Sequence, residues 1–192
     1  MAVGSQYGED LVLEDFFRGQ EKGFLVDVGA ADGQDNSNSW NLLKRPGWGG
    51  ILIEPEISQF KVLEKRYKDR QNVKCVQCAI GSSPGMTTIF CSKQVSTLLP
   101  SWRDRCIEVH GVPYTEQLVA VRTLTTVLDW LGLTPTFDFL SIDCEGMDYE
   151  VLQSLDLSRF TPKLICLECK GVTIPGYQTL CSTGGNTFYV KS

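Results

Sequence analysis

The 192-residue sequence contains no apolar run approaching the roughly 18–20 residues that span a bilayer. It has no excess of basic charge either: 18 Lys and Arg stand against 23 Asp and Glu, a net charge of −5. A general grip on nucleic acid needs a basic face, so nucleic-acid binding is set aside together with a membrane-embedded function. The opening MAVGSQYGED lacks the basic region and apolar core of a secretory signal, and a cytoplasmic location is expected. No repeat, low-complexity tract or linker divides the chain, whose length suits one domain, 1–192, with a full core. Histidine is nearly missing: His110 is the only one.

Cysteine, by contrast, is plentiful, with eight residues. In a long chain with no export signal these read as reduced thiols rather than a disulfide framework. Two C-x-x-C pairs, CVQC at 75–78 and CLEC at 166–169, raise the question of zinc. Both lie in or at the end of strand-like runs, where residues three apart point to opposite faces. Thiolates that diverge cannot share one ion, so the pairs read as small buried hydrophobes.

The pattern along the chain is one of strands alternating with helices. GEDLVLEDFFRG (8–19) groups Leu11, Val12, Phe16 and, at the margin, Leu13 on a helical face. GFLVDVG is a buried strand, and 37–44 is a short helix stopped by Pro46 and Gly47. GGILIEP is a second strand ended by Pro55, followed by a helix with Ile57, Phe60, Leu63 and Tyr67 along one side. NVKCVQCAIG forms the third strand. MTTIFCS and LVAVRT are further strands, separated by an insertion that holds a short helix near 99–108. LTTVLDWLG is a helix capped by Thr123 and ended by Gly132. FDFLSID is the fourth core strand, MDYEVLQSLD its helix, and KLICLE the fifth strand. The tail GYQTLCSTGGNTFYVK is a hairpin turning at Gly-Gly-Asn.

This order predicts an α/β fold with a mostly parallel central sheet, helices on both faces and a C-terminal antiparallel hairpin. Ligands of such sheets bind beyond the carboxyl ends of the strands, where strand order reverses. Asp27–Gly33, Glu54, Ala79–Gly81, Asp143–Gly146 and Glu168 all fall on that rim.

The first rim turn, GAADG, carries Gly29 and Gly33 and is crowded by Asp27, Asp32 and Asp35. It does not match the G-x-G-x-x-G that cradles a pyrophosphate, and clustered carboxylates repel phosphate. S-adenosylmethionine fits better, because it carries a sulfonium, an ammonium and one carboxylate but no phosphate. Asp27 or a neighbouring acid can face the ammonium, directly or through water. Gly29 and Gly33 let the backbone approach the methionine and ribose parts. The carboxylate can sit near the amides that open a helix at Asn36, Ser37 and Asn38. Glu54, 21 residues beyond Gly33, can accept bonds from both ribose hydroxyls. A plainer reading gives Asp32 and Asp35 only turn-stabilising bonds to nearby amides.

The blocks SQYGEDLVL, FLVDVGAADGQDNSNSWNLL, GWGGILIEPEISQFKVLEKR, CAIG and FDFLSIDCEGMDYEVLQSLD resemble, in order and spacing, the motif series of FkbM-type methyltransferases across residues 5–168. The resemblance implies a class I Rossmann-like fold, S-adenosylmethionine as donor, and methylation of a hydroxyl oxygen on a sugar or natural-product scaffold. It also implies that Gln6 to Asp10 lie against the cofactor side of the sheet. Ala30 and Pro55 would belong to the cofactor pocket. Ala79 and Ile80 would flank the adenine, and Asp143 to Glu145 would border the reaction site. One departure stands out: only CKGVTIPG separates the fifth strand from the hairpin, too little for a covering helix. The patch of sheet left bare is expected to be covered by a second subunit, giving a homodimer, or by the N-terminal helix. The short chain also leaves little to define the acceptor.

Methyl transfer from a sulfonium is an in-line displacement, and an alcohol acceptor must lose its proton to a base. Asp143, Glu145 and His110 are the candidates. Asp143 and Glu145 are also hard oxygen ligands for a divalent ion, but no clear third ligand is visible and no metal is assigned. The insertion 93–117 is expected to form a lid and acceptor pocket, with Trp102 and Tyr114 to stack on a sugar ring or planar scaffold and Arg103 and Arg105 to pair with an anion. Two other classes remain open: a non-catalytic module that keeps the cofactor pocket, and a nicotinamide-dependent oxidoreductase, which the glycine spacing disfavours.

Overall fold

A computed structural model describes residues 5–92 and 95–192; residues 93 and 94 of the expected lid lie outside these. Seven strands form the main sheet in the order β3 (Val73–Val76), β2 (Gly47–Ile53), β1 (Lys22–Val28), β7 (Thr136–Ile142), β8 (Thr161–Leu167), β10 (Thr187–Lys191) and β9 (Tyr177–Ser182). The first five are parallel. β10 runs antiparallel to both β8 and β9, as the Gly184-Gly185-Asn186 turn requires. The order reverses between β1 and β7, which places a crevice at their carboxyl ends.

Helices cover both faces. On one side α1 (Glu9–Phe16), α2 (Trp40–Leu43) and α3 (Ile57–Tyr67) pack on a core that includes Leu25, Phe139, Leu164, Cys166 and Phe188. On the other, α5 (Leu124–Trp130) and α6 (Asp148–Gln153) pack on Val26, Ile51, Leu140 and Ile165. β1, β2 and β7 are sandwiched between these layers, and for that reason their sequences are continuous apolar runs rather than alternating ones. Thr123 caps α5 as expected, its Oγ1 accepting a 3.1 Å bond from the Thr126 amide.

Four expectations need correction. Leu11 is 68% exposed, and Leu13 with Phe17 is the buried anchor of the first helix. The helix starts at Glu9, so its inward stripe is rotated from the one drawn through Leu11. Ile57 is 44% exposed, because it begins α3 at the rim before the helix settles on the sheet. The short second helix is Trp40–Leu43, not 37–44. The third strand is two: β3 leaves the main sheet at Val76, and β4 (Ala79–Ile80) joins β6 (Thr115–Arg122) and β5 (Gly85–Cys91) in a separate three-stranded sheet of order β4-β6-β5. Gln77 and Cys78 carry the chain from one sheet to the other.

The patch without a following helix is covered. Leu13 and Phe17 of α1 share a core cluster with Leu164, Cys166 and Phe188. On the opposite face Val172 and Ile174, from the short connection, and Tyr177, which opens β9, pack with Tyr189. The members of each C-x-x-C pair also separate as the strand geometry requires. Cys75 and Cys166 lie with one core cluster, Cys78 and Cys169 with the other.

Candidate active site

The strand ends converge closely. The Asp143 amide donates to Val28 O at 3.0 Å, and the amides of Gly29 and Ala30 donate to Ile53 O at 3.0 and 3.1 Å. Gly29 has φ 83°, and a Cβ there would lie 1.9 Å from the Asp143 carbonyl oxygen. Glycine is therefore demanded at position 29 by the neighbouring strand end, before any ligand is considered. Gly33 (φ 74°) is demanded by α3, since a Cβ would meet Leu63 at 2.5 Å and Tyr67 at 2.8 Å. Its expected role beside a ligand is thus replaced by a packing role.

Two adjoining hollows lie beyond these ends. A cleft of about 560 Å³, counting its open mouth, has walls that include Glu54, Pro55, Ala79, Ile80, Asp143 and Glu145. A smaller recess is bordered by Asp27, Ala30, Asn36, Ser37, Asn38 and Ser141. Gly29, Ala31 and Asp143 face both. Residues 36–38 form a turn, with Asn36 at φ 58°, and the helix opens only at Trp40. The expected helix-end amides are therefore ordinary turn amides.

Glu54 is held from two sides: its Oε2 accepts from the Ala31 amide at 2.8 Å and its Oε1 from the Glu56 amide at 2.7 Å. Each oxygen keeps a further lone pair for a ligand hydroxyl. Burial pushes the Glu54 carboxyl up to about 7 despite these bonds. Asp27 is buried and accepts a 2.6 Å bond from Ser39 Oγ. Burial raises it to about 6, against the opposing effect of the Ser39 and Ser141 hydroxyls. Beside it Ser141 Oγ is fully buried and makes no well-formed hydrogen bond. Asp32 stabilises its turn, as the plainer reading holds: Oδ1 accepts from the amides of Gln34 and Asp35, both at 2.9 Å, and Oδ2 pairs with Arg66 at 3.0 Å.

The cleft is most acidic where β7 and β8 end. One carboxylate oxygen each from Asp143, Glu145 and Glu168 lies within 4.8 Å of the others. Burial, and then the negative charge of Glu168, holds the Asp143 carboxyl well above the usual range. Glu168 is pushed to about 7 by burial and by Glu145. Contact between the two carboxyls favours the protonated form of Asp143 and the ionised form of Glu168. Glu145, with φ 49°, is also raised to about 7 by burial and accepts a 2.8 Å bond from Trp102 Nε1. These three acids are the residues that could hold a divalent ion. The sequence marked Glu168 only as a rim residue; its position directly after a buried strand was the available signal.

The insertion contributes less than expected. Thr97 and Leu98 line the cleft, and Thr97 Oγ1 donates to Glu145 O at 3.0 Å. Trp102 begins α4 (Pro100–His110), packs on Gly146 and positions Glu145 rather than standing open to an acceptor. Arg103 lies 4.2 Å above the Phe90 ring and pairs with Asp104 at 2.6 Å. Arg105 is 5.8 Å above the Trp102 ring, and Tyr114 donates to Val95 O at 3.0 Å. His110 is exposed at the last turn of α4, about 12 Å along the helix axis from Trp102. None of Arg103, Arg105, His110 and Tyr114 borders the cleft or the recess. Gln6 is exposed, and Asp10 bonds Ser5 and Asn41 beside the hairpin end of the sheet; neither lines either hollow.

A parallel sheet reversing between β1 and β7, with acids at both strand ends and no phosphate loop, defines a Rossmann-like fold of the methyltransferase class. The model of the methyltransferase FkbM domain matches residues 27–179, and the chain belongs to that family. No curated protein matches it. Among solved structures it is similar to the methyltransferase FkbM of Methylobacillus flagellatus, with TM-score 0.61 and 16% identity over 97% of this chain and 48% of that one. The chain thus spans about half the length of that relative. A putative methyltransferase of Escherichia coli gives TM-score 0.55 and 14% identity over 95% and 83% of the two chains. A putative methylase of Haemophilus influenzae gives 0.54 and 11% over 97% and 89%. At these identities the likeness is one of fold.

Proposed function

We propose that this protein moves a methyl group from S-adenosylmethionine to a hydroxyl oxygen of a small-molecule or glycan acceptor. The observation that carries the reading is the cluster of Asp143, Glu145 and Glu168 at the ends of β7 and β8, of which Asp143 and Glu145 line a cleft that also holds Glu54. When bound, S-adenosylmethionine supplies a methyl group on a positively charged sulfur. The residues present suit that donor. Glu54 has lone pairs left for ribose hydroxyls, and Ala79, Ile80 and Pro55 give an apolar wall for a planar base. Asp27 and the buried Ser141 hydroxyl lie in the recess, where an ammonium would be welcome.

As the acceptor oxygen attacks in line, its proton needs somewhere to go. We assign the pair's resting proton to Asp143, which burial and Glu168 hold above the usual range, so that Glu168 is the anionic member and takes the acceptor's proton. Trp102 keeps Glu145 turned toward the same point, where its charge disfavours a second anion and lifts the basicity of the pair. A divalent ion on the three acids is the competing arrangement, and EDTA separates the two: full activity after chelation supports the shared proton, loss restored by magnesium supports the ion.

The direct test is calorimetry with S-adenosylhomocysteine, followed by a methylation assay over hydroxyl-bearing acceptors. Saturable binding and an O-methylated product are expected. No heat with S-adenosylhomocysteine, alongside clear binding of a nicotinamide dinucleotide, overturns the reading.

A further inference from the structure

A second hollow lies on the far side of Cys78. It is a groove of about 1060 Å³, counting its open mouth, between β3, the small sheet and α5, and Cys78 is a wall of both it and the cleft. Its floor is apolar, made by Val76, Ala120 and Val127. Its rim carries Lys74, Arg122 and Trp130. Lys74 pairs in register with Ile51, which belongs to the core cluster beneath α5, so its side chain stands on the α5 side of the sheet. Trp130 closes α5 and is 75% exposed, an unusual cost for the largest side chain.

The charge of the groove is opposite to that of the chain. No acid lines it, although the chain as a whole carries −5. The acid next to Trp130, Asp129, is held by Arg159 through two bonds of 2.6 and 3.0 Å. Lys74 and Arg122 make no ion pair among the described residues. Arg122 donates to Val121 O at 3.0 Å and keeps further N–H groups for a ligand, and a planar indole beside two cations over an apolar floor matches a ligand with a flat or apolar ring face joined to an anion.

We infer that this groove is a binding site, separate from the cleft, for a ring-bearing phosphate, with Trp130 stacking on the ring and Arg122 and Lys74 holding the anion. A nucleotide and a sugar phosphate both present that chemistry. The test is calorimetry on the intact protein with uridine 5′-monophosphate, glucose 1-phosphate, uridine and inorganic phosphate; uridine keeps the probe away from an adenine pocket. One of the two ring phosphates is expected to saturate, at least about tenfold tighter than uridine or phosphate alone. The tighter one assigns the ring as base or sugar. Trp130→Ala and Arg122→Gln should each weaken it at least about tenfold, with melting temperatures near that of the parent because both positions are exposed. Three outcomes overturn the inference. One is no saturation by either ring phosphate up to about 10 mM. The second is affinity unchanged in both variants. The third is a light-scattering mass that doubles with concentration in the parent but not in Trp130→Ala, which would make the groove a contact between copies.

Discussion

The cleft at the strand tips and the groove beside α5 share Cys78, yet one is walled by buried and half-buried acids and the other by exposed cations. The difference lies in what holds each charge. At the strand tips, burial and neighbouring negative charge raise Glu54 and Glu168 to about 7 and hold Asp143 well above the usual carboxyl range, which suits them to exchange protons. In the groove, Lys74 and Arg122 remain exposed to solvent. The first is suited to chemistry, the second to holding an anion.

The largest expected effect is on the architecture beneath the cleft. Gly29→Ala would drive a methyl into the Asp143 carbonyl and demand φ 83° of an alanine. A loss of about 3 kcal/mol or more in folding stability is expected, read by denaturant titration. A wild-type midpoint would mean that β1 and β7 do not meet as described.

Next comes the base. Glu168→Gln is expected to lower kcat by about 10²–10⁴-fold while S-adenosylhomocysteine affinity changes little. In the parent, kcat should rise with pH through about 7, where Glu168 loses its proton, and the variant should lose that inflection. Equal loss of binding and rate would assign Glu168 to structure instead.

A third prediction concerns Asp27. Its folded carboxyl is raised from 3.8 to about 6, so the folded protein holds this proton more tightly than the unfolded chain does. The stability it contributes is complete below the ordinary carboxyl value and is lost as pH rises to about 6, a fall on the order of 3 kcal/mol. Asp27→Asn should flatten that part of the curve, measured by denaturant midpoints across the range. An unchanged slope would mean that Asp27 is better solvated than its burial implies.

The smallest effect sharpens the contrast. Raising salt from about 0.05 to about 0.5 M should weaken ring-phosphate binding at the exposed cations several-fold. S-adenosylhomocysteine binding in the cleft should move less than about twofold, because buried charges are poorly screened. Equal salt dependence would erase the distinction.

Much of this was legible in the residues. The strand and helix order, the Thr123 cap, the terminal hairpin and the rim positions of Glu54, Ala79 and Asp143 follow from apolar periodicity and turn chemistry. What was misread has specific causes. Leu11 and Ile57 fit a helical stripe but sit at helix starts, where the stripe is not yet against the sheet. Gly33 looked like a ligand-facing glycine, yet α3 lies over it. His110, Arg103, Arg105 and Tyr114 share the insertion with Trp102, but α4 spreads its residues over different faces and heights, Tyr114 lies beyond its end, and of these five only Trp102 donates to Glu145. The split of the third strand could not be read, because VKCVQCAI is equally good strand sequence on both sides of Cys78.

By itself the sequence determined the order of strands and helices and which strand ends carry Glu54, Asp143 and Glu168, since both are properties of local apolar pattern and turn residues. Tertiary structure alone decided that the ends of β7 and β8 bring Asp143, Glu145 and Glu168 within 4.8 Å of one another, and that Lys74, Arg122 and Trp130 border one groove. Those distances join residues far apart along the chain, and only the packing of one element on another sets them.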